Sequence, residues 1–271
     1  VVVFRLCRAR AHGFFIWGER AVVSTDRPRI VAIIPARYDS TRLPGKALAS
    51  IGGRPMIQHV FERTRQARGV GSTLVATDDA RIADAVRRFG GDVVLTGAHA
   101  TGTDRVAAVA AQLDADVILD VQGDLPLIEP QVLAACVAPF AADPAIAMTS
   151  MMTPLRSEEE WRSPHVVKVV TDDDGFALYF SRSPLPFWRD GTRGVGSLGA
   201  RHIGLYAWRR ATLLALAAAP RGRLERAEEL EQLRALERGV RIKMISVDSA
   251  GPEVDTPDDL ERVRHLVEGA A

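Results

Sequence analysis

The sequence predicts an α/β fold: a doubly wound, mostly parallel sheet that carries a small antiparallel insert. Three observations predict it. A short apolar run without alternation, at residues 30–34, is expected of a strand buried on both faces. Between residues 30 and 140 such runs alternate with helical patterns at intervals of roughly 20–25 residues, the spacing of strand–helix–strand units. Beyond residue 140 the pattern changes to closely spaced strands with turn chemistry between them.

The elements follow in order. Residues 30–34 form the first strand, expected to stop at Pro35, which offers no ladder N–H. Met56, Ile57, Val60 and Phe61 share one face of a helix over 56–68, broken at Gly69 and Gly71. Residues 72–77 are the second strand, ending in Asp78-Asp79, and the helix over 80–89 is closed by Gly90-Gly91. A short strand at 93–95 leads through a loop at 99–105 to a helix at 106–113, then to the strand at 117–121. A helix at 129–140 and a strand at 145–152 come next. Strand-like segments at 166–170 and 177–181 flank Thr171-Asp172-Asp173-Asp174-Gly175, which is hairpin chemistry. Loops rich in Pro and Gly span 183–200 and precede a strand at 202–208. Helices at 211–219 and 225–238, a strand at 242–247 and a helix from Pro257 close the chain.

Composition bounds the class. The chain has 271 residues, 47% hydrophobic and 25% charged, ordinary for a globular protein. A formal net charge of +1 gives no reason to expect nucleic acid or an anionic membrane as partner. No apolar run approaches the roughly 20 residues of a membrane span. Cys7 and Cys136 form neither a disulfide framework nor a metal-ligand spacing, so a reducing cytoplasm is expected. Residues 1–29 carry six Arg against Glu19 and Asp26 and no recognisable leader pattern. They are expected to be an N-terminal extension, disordered or preceding the native start. Residues 30–271 then make one domain, with its antiparallel insert at about 165–210.

The first strand leads into a basic loop, Arg37 to Lys46, in which Arg42 is the third cation and Pro44-Gly45 bends the chain. Ligands of open α/β sheets bind beyond the carboxyl ends of the strands. Cations on a flexible backbone at such a place predict a polyphosphate. The loop is not a Walker A motif, since Ser40 and Ala47 stand where Gly and Ser or Thr are needed. The G-x-G-x-x-G match at 194–199 follows a polar stretch rather than a strand, so it reads as a loop and not a dinucleotide site. Two acids are candidates to face the polyphosphate. Asp124 follows the strand at 117–121 in a Gly-Asp-x-Pro turn. Asp255 precedes a helix start in which Thr256 caps, Pro257 takes the first position and Asp258 and Asp259 favour the dipole, which leaves Asp255 itself unexplained. Two carboxylates beside a polyphosphate suit Mg²⁺, which takes few protein oxygens and completes its shell from phosphate and water.

The motifs Ile34-Pro35-Ala36-Arg37-Tyr38, Ser40-Thr41-Arg42-Leu43-Pro44-Gly45-Lys46, Ala76-Thr77-Asp78, Gly102-Thr103-Asp104-Arg105 and Val121-Gln122-Gly123-Asp124 occur in that order. Tyr179-Phe180-Ser181-Arg182, Arg201-His202-Ile203-Gly204-Leu205-Tyr206, Leu224-Glu225 with Glu228, Leu230-Glu231-Gln232-Leu233-Arg234 and Val254-Asp255-Thr256-Pro257 continue it. Over about residues 30–267 the chain resembles the 3-deoxy-manno-octulosonate cytidylyltransferases, the CMP-KDO synthetases. The first motif alone also suits nucleotidyltransferases more broadly; the later ones narrow the match to a sugar acid. Leu125 departs from the Glu common at that position in the family, so Asp124 and Asp255 would have to suffice for metal. Thr101 replaces a common Ser and keeps the hydroxyl.

The resemblance implies a nucleotidyltransferase, Rossmann-like fold and the reaction CTP plus KDO giving CMP-KDO and pyrophosphate, for lipopolysaccharide biosynthesis. It implies that Arg37, Arg42 and Lys46 hold the triphosphate, with Pro35 and Ala36 beside it, and that Asp124 and Asp255 bind Mg²⁺. Lys46, Arg37, Asp124 and Asp255 would thus be the catalytic set. Ala76, Thr77, Asp78, Gly102 and Thr103 would border the cytidine; Gln122, Arg182, His202, Tyr206, Glu225 and Glu228 would border the sugar acid. A homodimer formed through the insert is implied as well. Each sugar-site residue also has an ordinary structural reading: a solvated Arg, a satisfied His, a core Tyr, a solvated helix face for the two Glu. The same chemistry on 8-amino-KDO or a sialic acid is the near alternative. A nucleotide-binding regulator without catalysis is the alternative of another class, and the joint presence of Lys46, Asp124 and Asp255 speaks against it.

Overall fold

The computed structural model describes residues 27–39, 42–189 and 199–269. Ser40, Thr41, most of the extension and most of the glycine-rich stretch fall outside the described residues. The strands are β1 (Ile30–Ala36), β2 (Ser50–Ile51), β3 (Arg54–Pro55), β4 (Ser72–Thr77), β5 (Asp92–Leu95) and β6 (Val117–Asp120), then β7 (Met148–Pro154), β8 (Lys168–Thr171), β9 (Ala177–Ser181), β10 (Ala200–Arg209) and β11 (Ile242–Ser246). The main sheet has nine strands; its path runs β11-β7-β10-β6-β1-β4-β5, along which β10 opposes the common direction, and β8 and β9 branch from β10. β2 and β3 make a separate two-stranded ribbon.

Helices cover both faces, as the unbroken apolar runs require. Ala32, Ile33 and Ile34 of β1 are wholly buried. On one face Ile57, Val60 and Phe61 of helix Met56–Arg65 and Leu133 and Val137 of helix Pro130–Val137 pack on the sheet. On the other, Val106 and Val109 of helix Gly102–Ala110 and Leu213 and Leu216 of helix Arg210–Ala217 do so. Each such Ile or Leu contributes about 1.5–3 kcal/mol by leaving water.

The chain order reverses at β1. β4 and β5 build outward on one side of it and β6 on the other, so β1 and β6 flank a switch point at their carboxyl ends. The antiparallel part is the β8–β9 hairpin, attached where Lys168 and Val169 of β8 pair with Arg201 and Ala200 of β10. Lys168 is buried, and its ammonium donates to the carbonyls of Ser163 (2.7 Å), Val166 (2.6 Å) and Arg182. That clamp ties the hairpin to the preceding loop.

Several boundaries differ from the sequence expectation. β1 continues through Pro35 to Ala36, because residues 33 and 35 turn their backbone groups toward β6, and β6 has left the sheet by then. Arg29 already belongs to the fold: its N–H donates to Asp116 (2.7 Å) and its carbonyl accepts from Val117. The 102–110 helix starts earlier than expected, since Thr101 caps it by accepting from the Asp104 N–H at 3.1 Å. Gly102 and Thr103 therefore lie in a first helical turn, not in a loop. The single helix expected at 225–238 is two, Arg223–Glu228 and Gln232–Glu237, broken at Glu229, where φ is 53°.

Candidate active site

The basic loop, both acids and the first turn of the 102–110 helix meet at the switch point. Gly45 holds a left-handed conformation (φ 71°), which a side chain would strain, and its N–H donates to the Tyr38 carbonyl at 2.9 Å, closing the loop. Lys46, next along, reaches across the sheet edge. Its Nζ lies 2.9 Å from Asp124 Oδ2 and 3.2 Å from Asp255 Oδ1, while Arg42 lies 3.0 Å from Asp255 Oδ2. Asp124 arrives on the turn after β6, where Gly123 passes so close to β1 that a Cβ would stand 3.2 Å from the Pro35 carbonyl oxygen. Asp255 is brought in by the Val254 N–H, which donates to the Asp124 carbonyl at 2.9 Å. The helix start predicted at Pro257 forms, with Thr256 and Asp259 capping reciprocally. Asp259 also accepts from the Asp255 N–H at 3.2 Å.

These groups line a cleft of about 540 Å³. Of the sequence-predicted nucleotide residues, Pro35, Ala36, Arg37, Arg42, Lys46, Gly102 and Asp124 face it, together with the predicted metal residue Asp255 and with Gln122. Ala76 and Thr77 are buried in β4 behind it. Asp78 accepts from Arg105 at 2.7 Å, and Arg105 in turn lines the cleft. Thr103 turns the other way, its hydroxyl donating to Glu231 at 2.6 Å. His99 and Arg105 are wall residues that carry no expected role from the sequence, although Arg105 closes the Gly-Thr-Asp-Arg run, and Thr101 lines the wall beside them.

A smaller cleft of about 300 Å³ opens on the β10 side, lined by Arg201, His202, Tyr206, Glu231, Gln232 and Glu253 among others. His202 is buried; Ser150 Oγ stands 2.9 Å from its Nε2 and donates to the Leu205 carbonyl at 3.0 Å, so the imidazole is the donor between them. Gln232 Nε2 approaches Nδ1 at 3.4 Å. Burial pushes His202 down to about 3, so it is a neutral hydrogen-bonding group at physiological pH, not a cation. The Tyr206 hydroxyl donates to Gln232 at 3.2 Å, and burial raises its pKa.

The remaining sugar-site candidates are engaged elsewhere. Arg182 donates through Nε to the Glu228 carbonyl at 2.9 Å and through a guanidinium nitrogen to the Pro164 carbonyl at 3.0 Å. The Glu228 carboxylate accepts from the Ser181 hydroxyl (2.6 Å) and the Arg182 N–H (2.9 Å). Glu225 is not on a solvated face: it is buried, paired with Arg234 (Nε 2.8 Å), and accepts from the Gly222 N–H at 3.0 Å. Although burial alone would raise it, the Arg234 pair and the Gly222 bond hold Glu225 below the usual carboxylate range.

The Cytidylyltransferase family model matches residues 31–242. The 3-deoxy-manno-octulosonate cytidylyltransferase of Syntrophotalea carbinolica is 53% identical over 247 residues, 89% of this chain and 99% of its own length. The chain belongs to the 3-deoxy-manno-octulosonate cytidylyltransferase family. The member from Geobacter sulfurreducens is 53% identical over 243 residues, 86% of this chain and 97% of its own. A solved structure titled as CMP:2-keto-3-deoxy-manno-octonic acid synthetase complexed with CTP superposes with a TM-score of 0.85 at 42% identity, covering 90% of this chain and all of that one. Membership in this cytidylyltransferase family accounts for a cleft that combines a basic loop with two acids at a sheet switch point.

Among the described residues no group of three or more His, Cys, Asp or Glu is arranged to hold a metal. A pair is present, however. Asp124 and Asp255 converge on one point, now held by the Lys46 ammonium, and that donor set fits an ion that takes few protein oxygens and completes its shell from phosphate and water. No helix among them is long and apolar enough to cross a membrane.

Proposed function

We propose that this chain joins the cytidylyl group of CTP to 3-deoxy-D-manno-octulosonate, releasing pyrophosphate. The observation that carries the proposal is the convergence of Lys46, Arg42, Asp124 and Asp255, drawn from three distant parts of the chain, on one cleft. Arg37, Arg42 and Lys46 bind and orient the triphosphate; their charges oppose the negative charge that builds as pyrophosphate departs. The C2 hydroxyl of the sugar acid attacks the α-phosphorus in line. A new oxygen–phosphorus bond forms, the α–β bridge breaks, and the hydroxyl proton is lost. Catalysis of this kind rests on placing the two reactants together and on electrostatics. Asp124 and Asp255 would hold Mg²⁺. When bound, the ion supplies charge neutralisation at the α-phosphate and the leaving group.

His202, Tyr206 and Gln122 are proposed to border the sugar acid from the β10 and β6 sides. Arg182, Glu225 and Glu228 support that wall through the hairpin and the broken helix. A homodimer formed through the hairpin and a cytoplasmic location belong to the same proposal. The test is pyrophosphate release with CTP or UTP and with KDO or a sialic acid, with and without Mg²⁺. The expected result is turnover with CTP, KDO and Mg²⁺ together. Equal turnover with UTP or with sialic acid would overturn the substrate assignment.

A further inference from the structure

Asp120 ends β6 and is wholly buried. The register sets it opposite Ile33 of β1 and Tyr206 of β10, at the carboxyl edge of the sheet. Its Oδ1 accepts from Gln122 Nε2 at 3.1 Å, and its Oδ2 is buried without a partner among the described residues. Glu231, nearby, also keeps one buried oxygen unpartnered among the described residues while the other accepts from Thr103. A buried carboxyl with one neutral partner works against stability, and the strand before it (Val117, Ile118, Leu119) is apolar throughout. The fold therefore does not explain the acid. Its one side-chain bond among the described residues leads to Gln122, which is half-buried and faces the cleft.

We propose that Asp120 is a positioning residue: through Oδ1 it holds one end of the Gln122 amide, and so fixes which end meets a hydroxyl of the sugar acid. The inference rests on the reading that this cleft takes CTP and KDO. Asp120 itself is wholly buried, so in this proposal it acts through Gln122 and not on a substrate directly. Burial, helped by the charge of Glu231, pushes Asp120 up to about 8, so the group carries a proton at neutral pH and its burial there costs less than that of a carboxylate. Without the anchor, the Gln122 side chain regains rotamer freedom that must be lost again on binding.

The test is steady-state kinetics of Asp120→Val, Asp120→Asn, Gln122→Ala and the double variant Asp120→Val/Gln122→Ala, with thermal melts of each. Asp120→Val is expected to raise KM for KDO about tenfold, the scale of one lost hydrogen bond, and to leave KM for CTP within about twofold. Asp120→Asn, which still pairs with the amide, is expected to rescue the KDO term. The double variant should be no worse than Gln122→Ala, because both changes remove the same contact. An unchanged KM for KDO, an equal loss for both substrates, or additive effects in the double variant would overturn the proposal. Should Asp120→Val not fold, Asp120→Ser, whose hydroxyl is too short to reach Gln122, carries the same expectations. If neither folds, Asp120 is structural and the proposal is wrong. A wild type inactive on KDO with CTP would overturn the underlying function as well, whereas an active wild type with an indifferent Asp120→Val overturns the positioning role alone.

Discussion

Lys46 stands between two carboxylates that lie 78 and 209 residues away in sequence, at 2.9 and 3.2 Å. It is mostly shielded from water (side chain 17% exposed), so its charge is felt strongly by whatever enters the cleft. Lys46→Met is therefore expected to lower kcat/KM by about a hundredfold or more, the scale of losing one preorganised charge at a transition state; stopped turnover assays check it. His202 tests the opposite case, a basic group kept neutral. Its pKa is about 3 in the fold against an ordinary value of 6.5, so its contribution to stability is present above pH 6.5 and is lost as pH falls from there toward 3. Melting curves of His202→Gln against wild type between pH 7 and 4 are expected to converge as the pH drops. Asp120 has the reverse sign. With a folded pKa of about 8, raised from 3.8, it costs stability progressively as pH rises through that window, so the stability of Asp120→Asn relative to wild type should increase from pH 5 to pH 8.

At the scale of elements, what was legible followed from local rules. The strand at Ser72–Thr77 and the helix start at Pro257 are legible at the bounds the structure shows, because apolar periodicity and capping chemistry are written in consecutive residues. Thr256→Ala is accordingly expected to cost about 1 kcal/mol, measured by urea unfolding. The broken helix was not legible. Glu225 and Arg234 lie nine residues apart and would sit on opposite faces of one continuous helix; turning the chain at Glu229 lets them pair in the interior. That gain is a tertiary contact, invisible to periodicity. Glu225→Gln, which leaves Arg234 without its buried anion, is expected to destabilise the fold by about 3 kcal/mol. The commitments of Arg182 and Glu228 were hidden for the same reason: a charged side chain looks alike in sequence whether it meets solvent, a ligand or a distant carbonyl.

For the whole molecule, the sheet explains why distant motifs share one place. Parallel strands put their following loops on one edge, and the reversal of order at β1 opens the crevice between the β1 and β6 loops. Arg37, Asp78 and Asp124 come to that edge for this reason alone, and so the basic loop and Asp124 could be paired from the order of strands. Asp120 could not, since a lone acid within an apolar strand carries no motif. The central claim, that Lys46, Asp124 and Asp255 surround a metal–nucleotide complex, is tested most directly by pyrophosphate release from CTP and KDO with saturating Mg²⁺, comparing wild type with Asp124→Ala. The account predicts a loss of about a hundredfold or more at an unchanged melting temperature. Turnover that survives the substitution would contradict it.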